Sequence, residues 1–227
     1  MNRIFVTGDI HGDVDIPKLK PWKKALGDLD ETDILMVCGD MGFFWDDGGN
    51  YDRYIKRFWE QQPYTVLWID GNHENFNTLS AVPVTEKWGG KVQQCARNVY
   101  HLCRGETFKI YGKEFFVFGG ASSHDKWCRK ENYTWWSQEL PTEEEMENGR
   151  RKLDEIGYSV DFILTHCADD YVQAMIDPSY ERDVLTNYLR EVSMTTSWKK
   201  WFIGHYHLDR PMPDNTRLIY KDIIQIV

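Results

Sequence analysis

The sequence predicts an α/β protein, on two observations. Five short apolar runs of strand length, 4–7, 34–38, 65–69, 162–165 and 201–203, are separated by segments with helical spacing. Such alternation favours an α/β architecture over a sandwich or a bundle. Each run also ends on residues that carry chemistry: Asp9 and His11, Asp40, Asn72 and His73, His166, and His205 with His207. In α/β folds, ligands collect outside the carboxyl ends of the strands, so five such endings predict one converging site. Five of the seven histidines fall in these stretches, a concentration that scattered core histidines would not produce.

The first strand, Ile4-Phe5-Val6-Thr7, runs into Gly8-Asp9-Ile10-His11-Gly12. In extended chain, residues two apart point to the same side, so Asp9 and His11 are expected to reach one ion together. Residues 17–30 are polar, with Trp22, Leu26 and Leu29 near helical spacing, and read as a surface helix. The second strand ends at Asp40. An aromatic run follows, Met41-Gly42-Phe43-Phe44-Trp45, then a turn signal, Asp46-Asp47-Gly48-Gly49-Asn50. Asp46 and Asp47 beside two glycines read as a solvated turn rather than as ligands. Residues 51–62 are helical in pattern and stop before Pro63, the third strand leads to Asn72, and 75–81 reads as a short helix.

Residues 91–120 differ. Short strands around Val92, 99–102, 107–110 and 115–118, punctuated by Gly105 and Gly112, read as a β-meander that builds a second sheet. His101 alternates within a strand and reads as structural. Residues 121–140 have neither periodicity, yet they hold His124, Lys126, Arg129 and three tryptophans. A long irregular segment in a compact fold is commonly functional, so Lys126 and Arg129 are candidate contacts to a substrate phosphate. The alternative is that the tryptophans cap the core and the charges are solvated. Thr142 reads as the N-cap of a helix running to about Ile156, its Glu143-Glu144-Glu145 start suiting the helix dipole. A further helix over 181–192, a strand at 199–203 and strands within 218–227 complete the chain.

Without a linker, repeat or low-complexity tract, residues 1–227 are expected to form a single domain. The formal net charge of −9 disfavours broad attachment to nucleic acid or an anionic membrane. Two divalent cations would nevertheless make the site locally attractive to phosphate. Five cysteines without a Cys-x-x-Cys pair, no apolar run of membrane-spanning length and a strand beginning at the amino terminus fit a cytoplasmic protein with reduced thiols.

In order, Asp9-x-His11-Gly12, Gly39-Asp40, Gly71-Asn72-His73-Glu74, a lone His166 after a strand, and Gly204-His205-x-His207 resemble the motifs of the calcineurin-like metallophosphoesterase superfamily, spanning nearly the whole chain. The resemblance implies a four-layer α/β/β/α sandwich with two mixed sheets and a binuclear metal centre. Asp9, His11 and His207 would hold one divalent ion, Asn72, His166 and His205 the other, and Asp40 would bridge them. Imidazole and carboxylate donors suit manganese first, with iron, zinc, nickel, cobalt or magnesium as alternatives. Ions about 3.5–4 Å apart can share a hydroxide that attacks phosphorus in line. His73 would serve the leaving-group oxygen as general acid or charge stabiliser.

The second motif departs from the serine/threonine phosphatase branch. Phe43 and Phe44 stand where that branch has the aspartate orienting the catalytic histidine and the arginine gripping phosphate. His73 then needs another partner, and phosphate needs the metals or a basic group such as Arg129 or Arg210. The resulting expectation is a metal-dependent phosphomonoesterase acting on a phosphorylated substrate. A phosphodiesterase or nuclease with the same centre is the alternative, and a non-catalytic scaffold is disfavoured because every ligand position is filled.

Overall fold

The computed structural model describes residues 2–227. In chain order the elements are β1 (Ile4–Thr7), α1 (Leu19–Leu26), β2 (Ile34–Val37), α2 (Asn50–Glu60), β3 (Thr65–Trp68), α3 (Phe76–Ser80), β4 (Val84–Lys87), β5 (Gly90–Ala96), β6 (Val99–Leu102), β7 (Glu106–Ile110), β8 (Lys113–Phe118) and α4 (Glu143–Glu155). There follow β9 (Ser159–Thr165), α5 (Asp170–Ile176), α6 (Val184–Thr195), β10 (Ser197–Ile203), β11 (Arg210–Pro211), β12 (Thr216–Leu218) and β13 (Ile223–Gln225).

The strands form two mixed sheets, in the orders β13-β1-β2-β3-β6-β5-β4 and β11-β12-β10-β9-β8-β7. In the first, β1, β2, β3 and β6 run parallel; in the second, β8, β9, β10 and β12 do. Parallel strands covered on both faces carry near-continuous apolar runs, and alternate residues feed different layers of core. On β1 and β2, Phe5, Leu35 and Val37 pack beneath Leu19, Ile55, Trp59 and Phe76 of α1, α2 and α3. Their neighbours Ile4, Val6, Ile34 and Met36 face the second sheet, meeting Phe115, Val117, Phe162, Leu164 and Phe202. The outer face of that sheet, with Phe116, Phe118, Ile163 and Trp201, is covered by Met146, Leu153, Leu185 and Leu189 of α4 and α6. Helices, sheet, sheet and helices thus stack as the four layers expected.

One expectation needs correction. Residues 91–118 do not build a separate sheet, since β4, β5 and β6 extend the first sheet and only β7 and β8 enter the second. Val66, Leu67 and Trp68 of β3 pair in parallel with Val99, Tyr100 and His101, which captures the meander's first half. The chain then changes sheets at Gly105, which has a φ of +70° and where a Cβ would lie only 2.7 Å from the Glu145 carbonyl oxygen of α4. α5 and β4 carry no clear sequence signal: α5 has seven residues, and β4 is an exposed edge strand. The Thr142 capping box is present, with Glu145 reciprocating. Glutamate side chains in the first turn of α4 suit the positive end of the helix dipole.

Candidate metal centre

The carboxyl ends of β1, β2, β3, β9 and β10 meet at one edge of the two sheets, bringing together Asp9, His11, Asp40, Asn72, His73, His166, His205 and His207. The expectation that Asp9 and His11 share a side because the chain is extended does not describe how this happens. His11, Asp40, His205 and His207 all have positive φ, at 46°, 47°, 65° and 51°. The chain passes the ends of β1, β2 and β10 through left-handed residues, a conformation that non-glycine residues adopt only when surrounding contacts fix it. Gly39 and Gly71 give the room needed: a Cβ on Gly39 would lie 2.0 Å from His166 Nδ1, and one on Gly71 would lie 2.1 Å from Asp40 Oδ1.

Ligand-type atoms of Asp9, His11 and His207 all lie within 4.8 Å of one another. Across from them, Asn72 Oδ1 is 3.1 Å from His166 Nε2, and the His166 and His205 rings are 5.0 Å apart. Asp40 touches both halves through a single oxygen. Its Oδ2 is 3.3 Å from His11 Nε2 and 3.4 Å from His166 Nε2, while Oδ1 accepts the His73 amide at 2.7 Å.

Outer contacts fix which end of each donor faces inward. His11 Nδ1 donates to Asp15 Oδ2 at 2.8 Å, and Asp15 in turn accepts the Tyr220 hydroxyl at 2.8 Å. His166 Nδ1 donates to the Cys38 carbonyl at 2.8 Å. Both rings thus turn Nε2 inward, the pattern in which an outer acceptor orients a metal-binding imidazole. Asn72 is oriented likewise: its Nδ2 donates to Ser123 Oγ at 3.1 Å, and Ser123 Oγ donates to the buried Glu139 at 2.6 Å. That leaves the Asn72 carbonyl oxygen facing His166. The Trp135 indole N–H donates to the same Glu139.

These residues fit a divalent metal site. Asp9 Oδ2 is buried and makes no hydrogen bond, although His207 Nε2 lies 3.1 Å away. Close approach without hydrogen-bond geometry is what atoms turned toward a common point produce. The local field agrees. Burial works to raise the Asp40 carboxyl, but His166 and His11 hold it well below the usual range. Burial works to lower His166 and His11, yet Asp40 and Asp9 push them up to about 10 and about 9. His205 goes the other way, down to about 3, through burial and the neighbouring His166 charge. Two buried carboxylates thus demand positive charge at this place.

The remaining candidates are placed as follows. His73 lies beside His11, ring centroids 5.8 Å apart, and its Nδ1 is 3.1 Å from Arg129. Arg129 is otherwise spent on Asp125, 2.7 Å away, and on the Thr134 carbonyl. Lys126 is exposed and lines a cavity of about 590 Å³ with His124, Arg182 and His205. Arg210 is exposed on the edge strand β11 and lines neither this cavity nor the one beside His73. Phe43 is core, and Phe44 packs against it. Asp46 and Asp47 are exposed turn residues that accept hydrogen bonds from Tyr51, Asp52, Asn75 and Thr78.

Sequence reasoning missed the supports. Lys18 is largely buried, and its ammonium donates to the carbonyls of Gly8, Asp9 and Tyr220 at 3.0, 2.7 and 2.6 Å. It ties the first motif to the end of the chain. Ser123 and Glu139 likewise have no local signature, since they act on Asn72 from a distant part of the sequence, whereas Asp15 lies only four residues from the His11 it supports.

A four-layer α/β/β/α fold with imidazoles and carboxylates gathered at its strand ends is the build of a metal-dependent hydrolase. The family model of the calcineurin-like phosphoesterases matches residues 2–209, and the chain belongs to that family. It is accordingly a metal-dependent phosphoester hydrolase, a class that acts on phosphorylated substrates. No curated protein gives a significant sequence match. One crystal structure is similar over 96% of this chain and 89% of its own, at 12% identity and a TM-score of 0.49. Among the described residues, no helix is long and apolar enough to cross a membrane.

Proposed function

We propose that the protein hydrolyses a phosphomonoester at a binuclear centre, with Asp9, His11 and His207 holding one ion, Asn72, His166 and His205 the other, and Asp40 between them. The observation that carries this reading is Asp40 Oδ2 standing within 3.4 Å of an imidazole of each half. Mixed imidazole, carboxylate and amide-carbonyl donors suit manganese. When bound, the ions supply charge to the phosphate oxygens and acidify the attacking water.

The chain's own residues do the rest. An arginine can only donate, so the 3.1 Å contact makes His73 Nδ1 an acceptor and leaves the ring proton on Nε2. His73 then serves the departing oxygen through Nε2–H, as a hydrogen-bond donor that meets the developing charge. Arg129 fills the place of the missing aspartate by fixing the ring, and is a positioning residue rather than a phosphate clamp. Lys126, which has no carboxylate partner among the described residues, is a cation available to a free phosphate oxygen on the His205 side. That extra cation suits the dianion of a monoester.

The same cavity favours a second reading, a phosphodiesterase, because about 590 Å³ leaves room for a second substituent. Hydrolysis of mono- and bis-(4-nitrophenyl) phosphate with manganese separates the two. Faster turnover of the monoester is expected, and a clear preference for the diester would overturn the first reading. All five cysteines are unpaired, which supports a reducing, cytoplasmic setting.

A further inference from the structure

Two cavities flank the centre, and they differ in chemistry. The one on the His205 side carries Lys126, Arg182, Glu181 and Asp183. The other, of about 480 Å³, is lined by His11, Val14, Gly42, Trp45, Tyr51 and His73, with no lysine, arginine, aspartate or glutamate among them. Trp45 is 40% exposed and Val14 70% exposed, so large apolar surface is left in water directly beside a polar centre. A concave, mostly apolar surface with a few polar groups beside it is the usual form of a small-ligand site.

The walls are held in place. Trp45 donates its amide to Asp52 Oδ1 at 2.6 Å, and the next amides, of Asp46 and Gly48, also end on the Asp52 carboxylate. The Trp45 ring meets Trp136 edge-on, with centroids 6.4 Å apart. Tyr51 is fixed through its hydroxyl, which donates to Asp13 Oδ1 and accepts the Asp13 amide. An ordered pocket with apolar, aromatic walls accepts a planar apolar ligand at little cost in rearrangement.

We infer that this cleft selects an uncharged aromatic group carried on the leaving-group oxygen of the phosphoester. The inference rests on the phosphoesterase centre proposed above. His73 belongs to the cleft and serves the departing oxygen, so whatever that oxygen carries lies between His73, Trp45 and Tyr51. A charged or strongly hydrated leaving group would lose its water there without a partner. An aryl group exchanges water for ring contacts with Trp45 and Tyr51.

The test is equilibrium binding, by calorimetry, of benzylphosphonate and ethylphosphonate to the manganese-loaded protein, since neither compound can be hydrolysed at its P–C bond. The benzyl compound should bind about tenfold more tightly, as burial of a ring against two aromatic walls implies. In Trp45→Ala, and independently in Val14→Asp, that ratio should collapse toward one. Val14 is exposed, so the second variant tests the cleft without disturbing the core. Equal affinities in the wild type, no binding of either compound, or a ratio that survives both substitutions would overturn the inference. The phosphoesterase reading fails by a different sign, an absence of manganese-dependent turnover of any phosphoester. With the binding ratio intact, that result would still leave the cleft's preference standing.

Discussion

Arg129 and His73 meet at 3.1 Å, guanidinium to Nδ1, across 56 positions of sequence. Asp125 holds the arginine in turn, with 2.7 and 2.8 Å contacts to Nε and Nη2. The chain Asp125–Arg129–His73 gives His73 a polar partner, which Phe43 cannot. Its polarity is the reverse of a carboxylate partner: it offers a proton to Nδ1 rather than accepting one.

A positioning role and a substrate-binding role for Arg129 predict different kinetics. If Arg129 orients His73, Arg129→Met should lower kcat by about tenfold or more with KM little changed, because the lost interaction acts in the transition state. A phosphate clamp would instead show chiefly as a higher KM. Steady-state kinetics on a monoester decides between them.

His73 and Asp40 should separate turnover from metal loading. His73→Ala is expected to retain both ions by elemental analysis while kcat falls by about 10²–10⁴, the usual contribution of a positioned proton donor. Asp40→Asn removes the charge that faces both halves of the site and should lose metal. Full occupancy in Asp40→Asn would refute the bridging assignment, and unimpaired turnover in His73→Ala would refute the leaving-group role.

Ser123 offers a test of the support behind Asn72. Its hydroxyl accepts from Asn72 Nδ2 and donates to Glu139, so it decides which end of the amide faces His166. Ser123→Ala frees the amide to flip and leaves the Glu139 carboxylate short of a donor. Metal affinity should drop by about 10–100-fold, as for other outer partners of metal ligands. Titration with a competing chelator measures it, and an unchanged affinity would make the Ser123–Glu139 pair merely structural.

Much of the centre was legible in sequence because its parts are local. Strand, glycine and ligand come together within a few residues at Asp9, Asp40, Asn72 and His205, with His166 directly after its strand, and parallel strands bring those ends to one edge. The layering was legible for a related reason: apolar runs buried on both faces carry no alternation, as 34–38 and 65–69 show. What escaped acts at a distance or lies at an edge. Nothing in the segment 121–140 says that Ser123 reaches Asn72 or that Arg129 reaches His73, because those contacts depend on how an irregular segment crosses the strand ends. β4 escaped because an exposed edge strand has no buried face to impose a pattern.

Asp70 and Arg104 give a prediction outside the metal centre, with a definite pH dependence. Both are buried, and Asp70 Oδ2 accepts from Arg104 at 2.8 and 2.5 Å while Oδ1 lies 3.0 Å from His101. Burial works to raise the Asp70 carboxyl, but the Arg104 charge and the His101 hydrogen bond hold it well below the usual carboxylate range. A carboxyl depressed on folding stabilises the protein fully above its unfolded value near about 3.9 and loses that contribution as pH falls through the folded value. Arg104→Met leaves the carboxylate buried without its cation, at a cost of about 3–5 kcal/mol at pH 7. The Asp70 carboxyl then shifts above its unfolded value, so its contribution changes sign: protonation on acidification relieves the variant. Urea unfolding at neutral pH and near pH 4.5 should show the gap between variant and wild type narrowing in acid. A gap that is constant or widens would mean that Arg104 acts through packing against Phe76, whose ring lies 5.5 Å from its guanidinium carbon, rather than through charge.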